Sequence, residues 1–117
     1  MNVIRKGDSP ELEANAPIFD GTVHRRPMVT PEMSQQVTVG LVRFSAGGKT
    51  RWHTHTADQS LYVTEGHGIV ASESHEHAVE AGDIVHVPAG EVHWHGAAPG
   101  KDMAHLSILP PCETRVL

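Results

Sequence analysis

Short runs of alternating apolar and polar residues, broken every few positions by glycine or proline, dominate the chain. Residues 36–45 are the clearest case. Val37, Val39 and Leu41 share one face of an extended segment, and Gly40, Val42 and Phe44 share the other, since strand side chains alternate. Both faces are largely apolar, which predicts a strand covered on two sides, by the barrel interior and by a second sheet or another subunit. A first short strand is predicted over 21–29, ended by Pro27 and Pro31, and further strands over 51–56, 59–65, 69–72, 78–80, 84–87, 91–95 and 103–109. Gly66-His67-Gly68 reads as a tight turn between two of them. No segment keeps a 3.6-residue period over three turns, so the expected class is all-β, a sandwich or a barrel. Residues 1–20, with Pro10 and Pro17 and few apolar positions, read as an irregular arm, and 21–117 as one domain.

Alternation also lists what the interior would hold. His53 and His55 share a face, as do Gln59, Leu61 and Val63; His93 and His95; and Met103, His105, Ser107 and Leu109. If each histidine-bearing face points inward, five imidazoles and an amide meet in a small apolar space. That is unfavourable unless they bind something or one another. Ten histidines in 117 residues is the compositional anomaly. The net charge of −5 and the lack of any basic run longer than Arg25-Arg26 argue against a nucleic-acid partner. No apolar run approaches a membrane span, and Met1 to Lys6 has no signal-peptide character. A single cysteine, Cys112, excludes an intrachain disulfide and points to a reducing compartment, with cytoplasm as the expectation. His75 and His77 form a second H-x-H pair in a polar, hairpin-like stretch and read as a solvated loop.

The spacing of the chemistry-bearing residues is specific. Gly47, His53, His55, Gln59 and Gly66 fit G-x5-H-x-H-x3-Q-x6-G, and Gly82, Pro88, Gly90 and His93 fit G-x5-P-x-G-x2-H. These resemble the two motifs of the cupin superfamily, double-stranded β-helix (jelly-roll) barrels that commonly hold one divalent metal. The stretches around His53, Gln59 and His93-Trp94-His95-Gly96-Ala97-Ala98-Pro99 further resemble short bacterial cupins, among them manganese-dependent hydroxynitrile lyases and carboxymuconolactone decarboxylase-associated cupins. The resemblance implies His53, His55, Gln59 and His93 as metal ligands, His95 and His105 as catalytic histidines, and Mn or Fe ahead of Ni, Co, Cu or Zn. It also implies a homodimer or homotetramer acting on a small molecule. Leu109 stands where those lyases carry glutamine and Gly40 where they carry alanine, so the particular substrate does not transfer. Gly40, Val42, Leu61 and Leu109 are the expected lining of the pocket.

Gln59 occupies the position of the usual cupin glutamate. Three neutral imidazoles and a neutral amide leave the full charge of a divalent ion uncompensated, which strengthens it as a Lewis acid and disfavours oxidation to a +3 state. The expected chemistry is charge stabilisation on a small carbonyl or α-hydroxy compound, with His95 or His105 moving the proton in carbon–carbon bond cleavage or addition. A metal-dependent dioxygenase is the second expectation, and a non-catalytic metal- or ligand-binding module the third.

Overall fold

In a computed structural model, which describes residues 1–117, the longest element explains the rest of the topology. The strand Gln59–Ser72 has 14 residues. Drawn straight it would span about 46 Å, more than the 40 Å long axis of the molecule, so it bends. Twelve strands and no helix make up the chain: β1 (Leu12–Glu13), β2 (Phe19–Asp20), β3 (Val23–Val29), β4 (Thr38–Phe44), β5 (Lys49–Thr50), β6 (His53–His55), β7 (Gln59–Ser72), β8 (Glu76–Glu80), β9 (Ile84–Val87), β10 (His93–Ala97), β11 (Met103–Leu109) and β12 (Thr114–Val116). All pairings are antiparallel. The first half of β7 pairs with β9 and β11, and β11 continues to β4, β3 and β1. The second half pairs with β8 and β10, and β10 continues to β5 and β6, which carry β2 and β12. One bent strand is thus shared by two curled sheets, the arrangement of a cupin barrel.

The tight turn expected at Gly66-His67-Gly68 is therefore a bend within a continuous strand. Gly66 has φ +77, and a Cβ there would collide with the Asp102 carbonyl. A Cβ on Gly68 would lie 2.6 Å from the Gly96 carbonyl oxygen. The two glycines permit a change of sheet and a close crossing of strands, and they do not reverse the chain. Other strands lie close to the positions expected from alternation. Within the segment read as 51–56 only His53–His55 is strand, a separate β5 precedes it at Lys49–Thr50, and β10 runs on to Ala97. The arm is tied to the barrel through Leu12↔Arg25 and Phe19↔Thr50. β12 carries no sequence signal, because all three of its residues are exposed and pairing with β6 alone defines it.

Alternation separates two environments on the inward faces. Val23, Val42, Phe44, Leu61, Val63, Val70, Val79, Ala97 and Met103 form the apolar core. The histidines of β6, β10 and β11 continue the same interior. On the outer face of the β9-β7-β11-β4 sheet, Ile84, Tyr62, Leu106 and Leu41 stand side by side in one cross-strand row, with Ile84 64% exposed. Arg43 bridges Glu11 and Glu65 at 3.0 and 2.8 Å on that outer face.

Phe44 is fully buried and joins the two environments, its ring 5.9 Å from that of His95 and 5.5 Å from that of His105. Phe44→Ala is expected to destabilise the fold by about 3–5 kcal/mol, read as a lower urea midpoint at unchanged m value.

Candidate metal centre

β6 is three residues long and places His53 and His55 on one inward face, across from His93 at the start of β10 through the register His93↔His53. The ligand-capable nitrogens of these three side chains lie within 4.8 Å of one another. All three rings are buried. Gln59, the first residue of β7, is also buried.

Hydrogen bonds set the tautomers. His53 Nδ1 is 2.7 Å from the Arg51 carbonyl and His93 Nδ1 is 2.9 Å from the Glu91 carbonyl. A carbonyl oxygen only accepts, so both Nδ1 atoms carry the proton and both Nε2 atoms present a lone pair. His55 Nδ1 is held by Thr114 Oγ1 of β12 at 2.8 Å, and His55 Nε2 is buried with no hydrogen-bond partner at all. Gln59 Nε2 donates to Ser107 Oγ at 2.9 Å, which turns Oε1 toward His93 Nε2 at 3.2 Å. Two acceptors facing each other in a buried space repel unless a cation lies between them. The orphaned His55 nitrogen and this acceptor pair fit a metal bound by His53, His55, His93 and Gln59.

The surroundings keep the imidazoles neutral. Burial pushes His53 down to about 4, opposed by the Arg51 carbonyl and reinforced by His93 and His55. Burial likewise takes His55 to about 4, with His93 adding to the shift, and it lowers His93 against the pull of the Glu91 carbonyl. Desolvation disfavours the charged form of a base, and two charged imidazoles would also repel each other. Neutral imidazole is the form that ligates metal.

Behind this cluster, His95 Nδ1 and His105 Nε2 are 2.9 Å apart. Burial takes His105 to about 4 and holds His95 well below the usual histidine range, where His105 and the other three rings push it further. His105 Nδ1 is buried without a hydrogen-bond partner. A cavity of about 650 Å³ opens against His53, His55, Gln59 and His95, with Gly40, Val42 and Leu109 on its wall as expected from alternation. Leu61 is a correction. It is fully buried, clusters with Val42, Phe44 and Val63 in the apolar core, and does not line the cavity.

Sequence reasoning missed several parts. Thr114 and Cys112 lie in a terminal segment without periodicity. Residues of the arm, Ala16 to Phe19, complete the wall, clamped where Arg51 donates to the Pro17 and Phe19 carbonyls at 2.6 and 2.5 Å. Arg25 also lines the cavity, and its parity with buried Val23 was the available signal. The second H-x-H pair is exposed on the β7–β8 hairpin, its rings stacked 5.9 Å apart. His67 and His86 lie on the surface beside Glu80 and Asp58 at 3.6 and 3.2 Å.

Comparison with known proteins agrees with this architecture. The cupin domain family model matches residues 40–109. (R)-mandelonitrile lyase from Granulicella tundricola is 38% identical over 109 residues, 92% of this chain and 83% of that protein. A cupin-like protein from Thermotoga maritima superposes with a TM-score of 0.83 at 31% identity, covering 90% of this chain and 83% of its own. The polyketide cyclase RemF from Streptomyces resistomycificus superposes with a TM-score of 0.87 at 20% identity, covering 100% of this chain and 85% of its own, a likeness of fold.

Two outcomes follow from the geometry. Thr114→Val removes the partner of His55 Nδ1 and is expected to weaken metal binding by about 10- to 100-fold, measured by competition with a chromophoric chelator. Metal-free protein should lose stability as pH falls from about 6.5 toward 4. In that window the unfolded chain takes up protons that the buried His53, His55 and His105 refuse, so the unfolded state binds more protons and stability rises with pH. Urea midpoints across the range check the sign.

Proposed function

The chain belongs to the cupin family, and on that premise we propose that it is a metal-dependent enzyme acting on a small carbonyl or hydroxy compound, by carbon–carbon bond cleavage or addition of the hydroxynitrile lyase kind. The observation that carries this proposal is the convergence of three imidazole nitrogens at the end of a cavity, one of them buried without a partner. A divalent ion bound by His53, His55, Gln59 and His93 supplies Lewis acidity toward a substrate oxygen. Nitrogen-rich ligation of this kind accepts Mn, Fe, Ni, Co, Cu or Zn.

The remaining steps belong to side chains of the chain itself. The 2.9 Å contact between His95 and His105 needs one proton between its two nitrogens. When His105 Nε2 donates, His95 carries its proton on Nε2 and presents an acid to the cavity. When His95 Nδ1 donates, its Nε2 presents a lone pair and acts as a base. A proton taken up at His95 Nε2 leaves the pair with one positive charge shared across the 2.9 Å contact, since His105 Nδ1 has no partner to pass a proton to, and burial favours its return to the reacting group. His105 is the positioning residue of this pair and His95 the catalytic one. Val42 and Leu109 keep the cavity wall apolar, which strengthens every polar interaction made there. The apolar row on the outer sheet face fits association with a second copy. Sedimentation at micromolar concentration is expected to give a dimer or tetramer, and a monomer would refute that part.

Chelation should abolish turnover on a panel of aldehydes, cyanohydrins and hydroxy acids, and reloading should restore it. Rates should be equal with and without oxygen; an absolute oxygen requirement would replace the lyase by a dioxygenase. His105→Asn is expected to lower kcat by about 10²- to 10⁴-fold at unchanged metal content. Unchanged turnover would leave the dyad without a role.

A further inference from the structure

Arg25 and Glu32 are the only fully charged side chains on the wall of the cavity. They are placed differently. Glu32 lies on the turn after β3, at the rim. Arg25 lies within β3, with Val23 and Val42 on the inward face, and its register runs Arg25↔Val42 and then Val42↔His105. Arg25, Val42 and His105 therefore form one cross-strand row, which sets the backbones of Arg25 and His105 about 10 Å apart.

Three other arginines are occupied, while Arg5 and Arg115 are unpaired but do not line the cavity. Arg26, on the opposite face of β3, donates to the Ser9 and Arg5 carbonyls at 3.0 and 2.6 Å. Arg43 binds Glu11 and Glu65, and Arg51 binds the carbonyls of the arm. Arg25 makes no side-chain hydrogen bond and no ion pair, with Glu32 or any other group. Arg25 is solvent-exposed, as an unpaired surface arginine would be, and it also lines the cavity that reaches His53, His55 and Gln59. With His53, His55, His93 and Gln59 all uncharged, a divalent ion and Arg25 face a single carboxylate at the rim. The interior favours an anion.

We propose that Arg25 selects the substrate class of this site, binding the carboxylate of a small hydroxy or keto acid whose hydroxyl or carbonyl carbon lies toward His95. This rests on the metal-dependent carbonyl chemistry proposed above and narrows it from neutral compounds to acids. A guanidinium fork matches a carboxylate in a bidentate pair.

The test is a calorimetric titration of Mn-loaded protein, its metal content measured on the same sample, with lactate, mandelate and pyruvate and with lactamide, mandelamide and pyruvamide. At least one acid should bind about tenfold or more tightly than its amide, and added salt should weaken the acid only. Arg25→Leu should remove the Arg25-dependent share of that preference, about tenfold in acid affinity, at unchanged amide affinity and metal content. Arg25→Lys should restore part of it. Acid affinity unchanged in Arg25→Leu, or no acid that outbinds its amide, overturns the proposal while retained metal leaves the metal centre standing. Protein that retains no metal refutes the metal centre instead. The same titrations of that protein then decide separately whether Arg25 binds the carboxylate.

Discussion

Imidazoles that are buried, neutral and oriented by backbone carbonyls are the constraint on which the structure is built. The Arg51 and Glu91 carbonyls, each two residues before its histidine, fix a tautomer that sends a lone pair inward. Such an arrangement is unfavourable in isolation, because lone pairs converge in a medium that solvates them poorly. The fold tolerates it by closing strands around it from both sides. β6 and β10 meet at His53↔His93, while β7 touches the site at both ends, through Gln59 at its start and through Ser72↔His93 at its finish. The bend at Gly66 and Gly68 makes that double contact possible.

The division of labour among the five buried histidines follows from what their ring nitrogens meet. Three meet oxygen atoms and turn Nε2 toward a common point. In the other two, nitrogen meets nitrogen, and such a contact conducts a proton where a carbonyl contact only anchors a ring. One residue type, on neighbouring strands, thus supplies both the ligands and the proton carriers of the proposed reaction, and the distinction lies in hydrogen-bond geometry.

Much of this was legible in the sequence, for a physical reason. Strand alternation is a local property, so the shared inward face of His53, His55, Gln59, His93, His95 and His105 could be read directly, as could Gly40, Val42 and Leu109 on the cavity wall. What escaped depends on long-range placement. Gly66 and Gly68 carry turn residues without turning, because their role is set by the Asp102 and Gly96 carbonyls that approach them from other strands. Leu61 shares a face with Gln59, yet depth along the barrel separates core from cavity, and alternation says nothing about depth. β12 has no pattern at all, and it still supplies Thr114.

That last strand is entirely exposed, three residues long and paired on one side only, with β6. Segments of this kind fray on their own, long before the molecule as a whole unfolds. Because His55 is anchored through Thr114 on this edge, its ring is freed whenever β12 parts from β6. The lifetime of anything gripped by His55 is then governed by a small local opening, which would make the site exchange-labile within a barrel that is otherwise slow to open.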